Sequence, residues 1–290
     1  MEKSIPMKKK SIGENIIILI KNGFSIKKRI HMVTKLCKTH AAKGGGREAS
    51  MDQAIVIENL TKKYKNSRGI EDVSLSVQRG EIFGFLGPNG AGKTTAMKIM
   101  TGLMAPDSGD VRLSGYSILE NYEKAMQRVG CMIESVIPFA YLTAYENMKL
   151  CARYYELGDS RIEECLELTG MLKFKNEKAK NYSLGMKQRL GISLALLSNP
   201  QIMILDEPLN GLDVEGMVEM RNLILKLAQE QNTTFFISSH LIHDVELTCN
   251  KIGILYGGRL LSVKSTEEIL KDYSSLENYY LSEVDLSVKS

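Results

Sequence analysis

The sequence predicts an α/β fold: a parallel sheet covered by helices, with a separate helical lobe. Three observations carry this. The runs Ile82-Phe83-Gly84-Phe85-Leu86, Ile202-Met203-Ile204-Leu205 and Phe235-Phe236-Ile237 are apolar without polar alternation, the pattern of strands buried on both faces. Strand-length runs alternate with turn clusters, and two strand-helix units close the chain. From about 137 to 197 the chain is rich in Leu, Glu, Lys and Ala at helical spacing, broken only at Gly158-Asp159-Ser160 and Gly170.

Taken in order, residues 1–50 differ in kind from the rest. They lack sustained periodicity and end in Lys43-Gly44-Gly45-Gly46-Arg47, which holds no packed element. This segment reads as a disordered extension, as upstream sequence from a misassigned start, or as a basic arm on anionic lipid. The first two are preferred, because the globular pattern that opens at Ala54-Ile55-Val56-Ile57 needs nothing before it. Residues 51–290 are expected to form one domain. Within it Ile82–Leu86 is a strand, Thr94–Met104 the helix that follows, and 202–205 and 235–237 are further core strands.

Composition narrows the class. The 290 residues are 43% hydrophobic and 25% charged, as in globular proteins that fold in water. Residues 1–50 carry twelve Lys/Arg against three Asp/Glu, a charge of +9 within a total of +4, so the remaining body is acidic. A basic nucleic-acid binder is therefore excluded as a reading of the whole chain. The five cysteines are odd in number, widely spaced and without a C-x-x-C pair, which argues against a disulfide or zinc framework. The early run Ile16–Ile20 is closed by Lys21 and is too short to span a bilayer. The fifteen methionines, among them Met97, Met100 and Met104, read as core filling.

Chemistry enters at Gly87-Pro88-Asn89-Gly90-Ala91-Gly92-Lys93-Thr94, which fits G-x-x-x-x-G-K-[ST] between a buried strand and a helix. Glycines let backbone N–H groups wrap phosphate oxygens, the helix N-terminus adds partial positive charge, and Lys93 adds a full one. Thr94 is expected to place its hydroxyl on Mg²⁺, and Thr95 is grouped with the phosphate-binding residues. ATP and Mg²⁺ are the cofactors expected. Such a site needs a carboxylate at a strand end, and Asp206-Glu207 after Ile202–Leu205 supplies two. Asp206 is assigned to the metal through water and Glu207 to polarising the attacking water.

With these residues in place the chain resembles the ATP-binding subunit of an ABC transporter from about Ile55 onward. Asn181-Tyr182-Ser183-Leu184-Gly185-Met186-Lys187-Gln188-Arg189 stands where that family has its signature, usually Leu-Ser-Gly-Gly-Gln. The serine and second glycine are kept, and Tyr182, Leu184 and Met186 depart from the pattern. The resemblance implies a P-loop NTPase core with a RecA-like parallel sheet, an antiparallel β subdomain and an α-helical signature lobe. It implies that Ser183 and Gly185 touch the γ-phosphate held by a second subunit, that Asp213 in Gly211-Leu212-Asp213 belongs to the D-loop, and that His240 senses γ-phosphate. Tyr64 matches the aromatic that stacks on adenine, with a packed strand-end tyrosine as the plainer reading. His243 is not paired with His240 as a metal site, because further ligands are absent nearby.

Glu134 stands where most of the family has glutamine. Together with Tyr182–Leu190 this resembles the bacitracin-resistance and lantibiotic-immunity branch. Glu134 is expected to accept from Mg²⁺-bound water and to influence coupling to the membrane partner. The resemblance further implies separate membrane-spanning permease subunits, a homodimer or heterodimer of ATP-binding subunits, no nucleic-acid partner, and a peripheral place on the cytoplasmic face of the membrane. Two rivals are a soluble non-transport ABC ATPase and a P-loop kinase. The first usually joins two cassettes in one chain or inserts a long coiled coil, and the second gives Asn181–Arg189 no task.

Overall fold

The computed structural model describes residues 52–65, 68–134 and 137–289; the reading of 1–50 lies outside them. The chain opens with β1 (Gln53–Lys63), β2 (Gly69–Gln78) and β3 (Ile82–Leu86), then α1 (Lys93–Met100), β4 (Ser108–Leu113), β5 (Tyr116–Ser117), α2 (Tyr122–Met126) and β6 (Val129–Met132). Three helices follow, α3 (Ala144–Tyr154), α4 (Asp159–Leu168) and α5 (Leu184–Leu196). The remainder is β7 (Ile202–Asp206), α6 (Val214–Gln231), β8 (Thr234–Ser239), α7 (Ile242–Thr248), β9 (Lys251–Tyr256), β10 (Arg259–Ser265), α8 (Thr266–Asp272) and α9 (Leu276–Lys289).

Two sheets result. One is antiparallel in the order β2-β1-β4-β5; the other runs β10-β9-β3-β8-β7-β6 and is parallel except for its edge strand β10. The apolar runs do what their lack of alternation predicted. Phe83, Phe85, Ile202, Ile204 and Phe236 pack into a core shared with β1, β2 and α1. Their neighbours Ile82, Leu86, Met203, Leu205, Phe235 and Ile237 pack on the opposite face with α5 and α6. Successive side chains of a strand point to opposite faces, so a strand covered on both has no polar position. Phe83 and Phe236 stack with ring centroids 5.2 Å apart.

Helix starts follow their caps. Thr143 and Glu146 form a capping box at α3, Ser183 caps α5 through Met186 N–H, and Asp213 caps α6 through Gly216 N–H. The helix expected over Thr94–Met104 ends at Met100 instead, because Gly102 takes a left-handed φ of +69° that closes it. Between 137 and 197 the structure holds helices and 3₁₀ turns, with one isolated bridge between Thr143 and Lys178. Among the described residues no helix is long and apolar enough to cross a membrane.

Register brings the candidate residues together. Leu86 pairs with Ser239, Asp206 with Ser238, and Met132 with Leu205. Gly87, Glu207, His240 and Glu134 therefore all emerge at the carboxyl ends of adjacent parallel strands, where open α/β sheets bind their ligands.

Candidate active site

The loop after β3 wraps a pocket of about 730 Å³, within the range of small-molecule sites. Its backbone is shaped by glycines that have no substitute. A Cβ on Gly87 would lie 2.2 Å from the Leu255 carbonyl oxygen, and Gly92, at φ +110°, would meet Ile70 at 2.5 Å. Gly90 has open space but a φ of +85°, so its requirement is conformational. Gly92 leads into α1 with no side-chain cap, which leaves the first N–H groups of the helix for an anion.

Lys93 is buried and folds back over this loop. Its Nζ donates to the Gly87 carbonyl at 2.6 Å and the Pro88 carbonyl at 3.3 Å, and lies 3.2 Å from Glu207 Oε1. Glu207 Oε2 in turn lies 2.8 Å from His240 Nδ1. The three residues form one chain, with the carboxylate between the ammonium and the imidazole. Glu207 holds a left-handed φ of +50°, uncommon for a side chain of its size. That backbone is fixed by its own N–H, which reaches Ser238 Oγ at 3.0 Å.

Asp206 is buried at the end of β7. Thr94 Oγ1 donates to its Oδ2 at 3.0 Å, and Ser238 Oγ donates to its Oδ1 at 2.6 Å. A hydroxyl and a carboxylate converging this way offer hard oxygen donors, few in number, which suits a metal that keeps waters and phosphate oxygens as its other ligands.

The remaining predicted residues fall into two groups. Tyr64 lines the pocket, its hydroxyl 3.5 Å from Thr95 Oγ1 and 3.1 Å from Met104 Sδ, and it is part exposed. Pro88, Asn89 and Gly90 line it too, whereas Ala91 is packed in the core. Ser183, Gly185, Glu134 and Asp213 are not among the pocket-lining residues. Ser183 is exposed at the start of α5, and Gly185 packs beside Leu212. Gln188 Nε2 donates to Asn210 O at 3.1 Å, tying the signature helix to the turn that carries Asp213. Glu134 is held by Lys98 at 2.5 Å.

Several contributors escaped the sequence reading. Lys65, Arg68 and Gly69 line the pocket beside Tyr64, and Ser238 orients Asp206. The basic run after Tyr64 and the serine pair before His240 were the available signals. Tyr182 gains a role as well: it is buried, and its hydroxyl lies 2.9 Å from Phe174 O and 3.0 Å from Glu177 O. Burial raises its phenol pKa. Tyr182→Phe leaves these carbonyls without the donor and is expected to cost about 1–3 kcal/mol, read by urea unfolding. An unchanged unfolding midpoint would show that water replaces the hydroxyl.

Comparison with known proteins agrees with this geometry. The ABC transporter family profile matches residues 70–210. The chain is 40% identical over 240 residues to the bacitracin transport ATP-binding protein BcrA of Enterococcus faecalis, covering 82% of this chain and 78% of that protein. It is 36% identical over 222 residues to the lantibiotic transport ATP-binding protein SrtF of Streptococcus pyogenes, covering 77% and 92%. Among solved structures it resembles cbiO1 from Clostridium perfringens, part of an ABC transporter complex, with TM-score 0.69, 26% identity and coverage of 76% and 91%. A dimeric ATP-binding cassette bound to ADP and Pi matches with TM-score 0.65 at 26% identity, covering 73% and 98%. ABC ATP-binding subunits bind ATP and work with membrane permease partners. The chain belongs to the ABC transporter family as an ATP-binding, ATP-hydrolysing subunit.

Proposed function

We propose that this subunit binds MgATP over the loop 87–94, closes head to tail on a second ATP-binding subunit, and powers separate membrane subunits that export, or confer immunity to, a peptide antibiotic of bacitracin or lantibiotic type. The observation that carries the catalytic part is the convergence of Lys93, Glu207 and His240 beside Thr94 and Asp206. Kinship with the bacitracin and lantibiotic transport proteins supports the substrate class.

Each side chain has a task in this reading. Lys93 exchanges the Gly87 and Pro88 carbonyls for the β- and γ-phosphates, and the free N–H groups of α1 face the same anion. Thr94 and Asp206 would hold Mg²⁺, which neutralises phosphate charge when bound. Glu207, released from Lys93, orients the attacking water, with His240 at its second oxygen and near the γ-phosphate. Catalysis is then positioning and charge stabilisation. Tyr64 provides the face for adenine. Ser183 and Gly185 would serve the nucleotide of the partner, with Asp213 in the same interface; their exposed or part exposed state outside the pocket of their own chain supports this. Exposed Leu184 and Val214 supply apolar surface beside them.

Docking of the permease is assigned to the start of the helical lobe, about 137–197, within one domain spanning 51–290. Ile137, Phe139 and Tyr141 stand exposed there, close in sequence to Glu134. In this reading the subunit is peripheral, bound to the permease at the cytoplasmic face of the membrane. Deleting the gene in its own host is expected to raise sensitivity to bacitracin or a lantibiotic. Restoring the wild-type gene should reverse this and Lys93→Ala should not. Unaltered susceptibility to both classes would sink the substrate assignment and leave the ATPase reading standing.

A further inference from the structure

Three glycines from distant parts of the chain meet at the edge of the pocket. Gly69 opens β2, Gly92 ends the phosphate loop, and Gly258 lies in the turn between β9 and β10. All three have positive φ, at +135°, +110° and +84°. A Cβ on Gly92 would lie 2.8 Å from the Gly69 carbonyl oxygen, and a Cβ on Gly258 would lie 2.7 Å from the same atom. One backbone oxygen is thus packed so closely against two glycines that neither can carry a side chain there. Gly69 and Gly92 line the pocket, and Gly258 does not.

Apart from Glu207, the pocket lining comes from two segments: Tyr64, Lys65, Arg68 and Gly69, and residues 88–90 and 92–95. The first segment is tied to the β9–β10 turn. Tyr256 pairs with Arg259, so the turn is Gly257 and Gly258 alone, both at the positive φ that a two-residue type I′ hairpin requires. Gly258 O accepts from Glu71 N–H at 2.8 Å. The Glu71 carboxylate lies 2.9 Å from Arg259 Nη2 and 2.5 Å from Nζ of Lys63, the residue before Tyr64. Tyr64 N–H donates to Arg68 O at 2.9 Å, so a displacement of Gly69 is passed to the backbone that carries Tyr64. The phosphate loop is held independently, by Lys93 on its own carbonyls and by Ala91 in the core.

We propose that Gly258 is a positioning residue for nucleotide selection: its turn buttresses Gly69 and so fixes the spacing between the Tyr64 face and the phosphate loop. That spacing distinguishes an adenine nucleotide from a bare polyphosphate. The proposal rests on the reading of Tyr64 as the adenine contact. A methyl group at 258 would meet a backbone oxygen, which cannot rotate away as a side chain can. The Glu71 bond keeps turn and strand from parting, and the phosphate loop is anchored elsewhere. The part that yields is the segment carrying Tyr64, whose Lys63, Lys65 and Arg68 are exposed.

The test is competition of MgADP and of magnesium pyrophosphate against a fluorescent ADP analogue, on the full chain in wild type, Gly258→Ala, Gly257→Ala, Tyr64→Ala and the double variant Tyr64→Ala with Gly258→Ala. Both ligands carry two phosphates, so only ADP reads the Tyr64 face. Gly258→Ala is expected to weaken ADP about fivefold, the lower end of what one stacked base contributes, and to leave pyrophosphate unchanged. Gly257 has a φ of +56° and open space where its Cβ would lie, so Gly257→Ala brings backbone strain without the contact and should change neither ligand. In the Tyr64→Ala background, Gly258→Ala should have no further effect. Thermal melts verify folding. If Gly258→Ala does not fold, Glu71→Gln, which frees Lys63 beside Tyr64, is read in its place and should weaken ADP alone about twofold, the range of a surface ion pair. Equal losses of ADP and pyrophosphate, or the same ADP loss in Gly257→Ala, would overturn the proposal. Wild-type ADP affinity in Gly258→Ala, or in the Glu71→Gln that stands in for it, would overturn it too. Wild-type ADP affinity in Tyr64→Ala would instead remove Tyr64 as the adenine contact, and the proposal with it.

Discussion

Glu207→Gln is expected to lower ATP hydrolysis by about 10²–10⁴-fold, the usual contribution of a positioned proton acceptor, while ATP binding persists. The geometry explains why the two separate. Glu207 spends one oxygen on Lys93 at 3.2 Å and the other on His240 at 2.8 Å. Glutamine keeps the shape and a polar contact to His240 but gives up the ionic hold on Lys93, so the lysine is freer to meet phosphate. ATP should bind at least as tightly and remain uncleaved, and the closed dimer should accumulate. Size-exclusion with light scattering, with and without MgATP, checks this. A monomer-to-dimer shift that needs nucleotide supports Ser183 and Gly185 as contacts to the partner's ATP. Hydrolysis at the wild-type rate would remove Glu207 from its role.

Lys93→Ala is expected to weaken ATP binding about 10- to 100-fold, since hydrogen bonds to charged groups contribute about 1.5–3 kcal/mol. The lysine lies at the floor of the pocket, where its charge is poorly screened. Its removal also leaves Glu207 facing the phosphates without a neighbouring cation, so repulsion adds to the lost attraction. Calorimetric titration gives the affinity directly. A second reading comes from melting: ligand at 100 times its dissociation constant stabilises a protein by about 2.7 kcal/mol, and Lys93→Ala should lose most of that nucleotide-dependent rise at the same ATP concentration. Undiminished affinity would show that the backbone N–H groups and α1 hold the triphosphate alone.

Much of this was legible beforehand for identifiable reasons. The strand at 82–86 and the strands over 202–206 and 234–239 announced themselves because burial on both faces removes polar positions from the sequence. The phosphate loop was legible because tight backbone geometry at Gly87 and Gly92 admits only glycine.

What the sequence determined by itself was the type of chemistry and the order of its parts: glycine loop, signature, paired carboxylates, histidine. Only the tertiary structure decided who touches whom. Lys93 resting on Glu207, Ser238 orienting Asp206 and Lys98 holding Glu134 join residues between 32 and 114 positions apart. Strand register sets these pairings, and register is a property of the assembled sheet, in which a one-residue slip turns every side chain to the other face. No local pattern encodes such contacts, because the partners meet only after the sheet has closed around them.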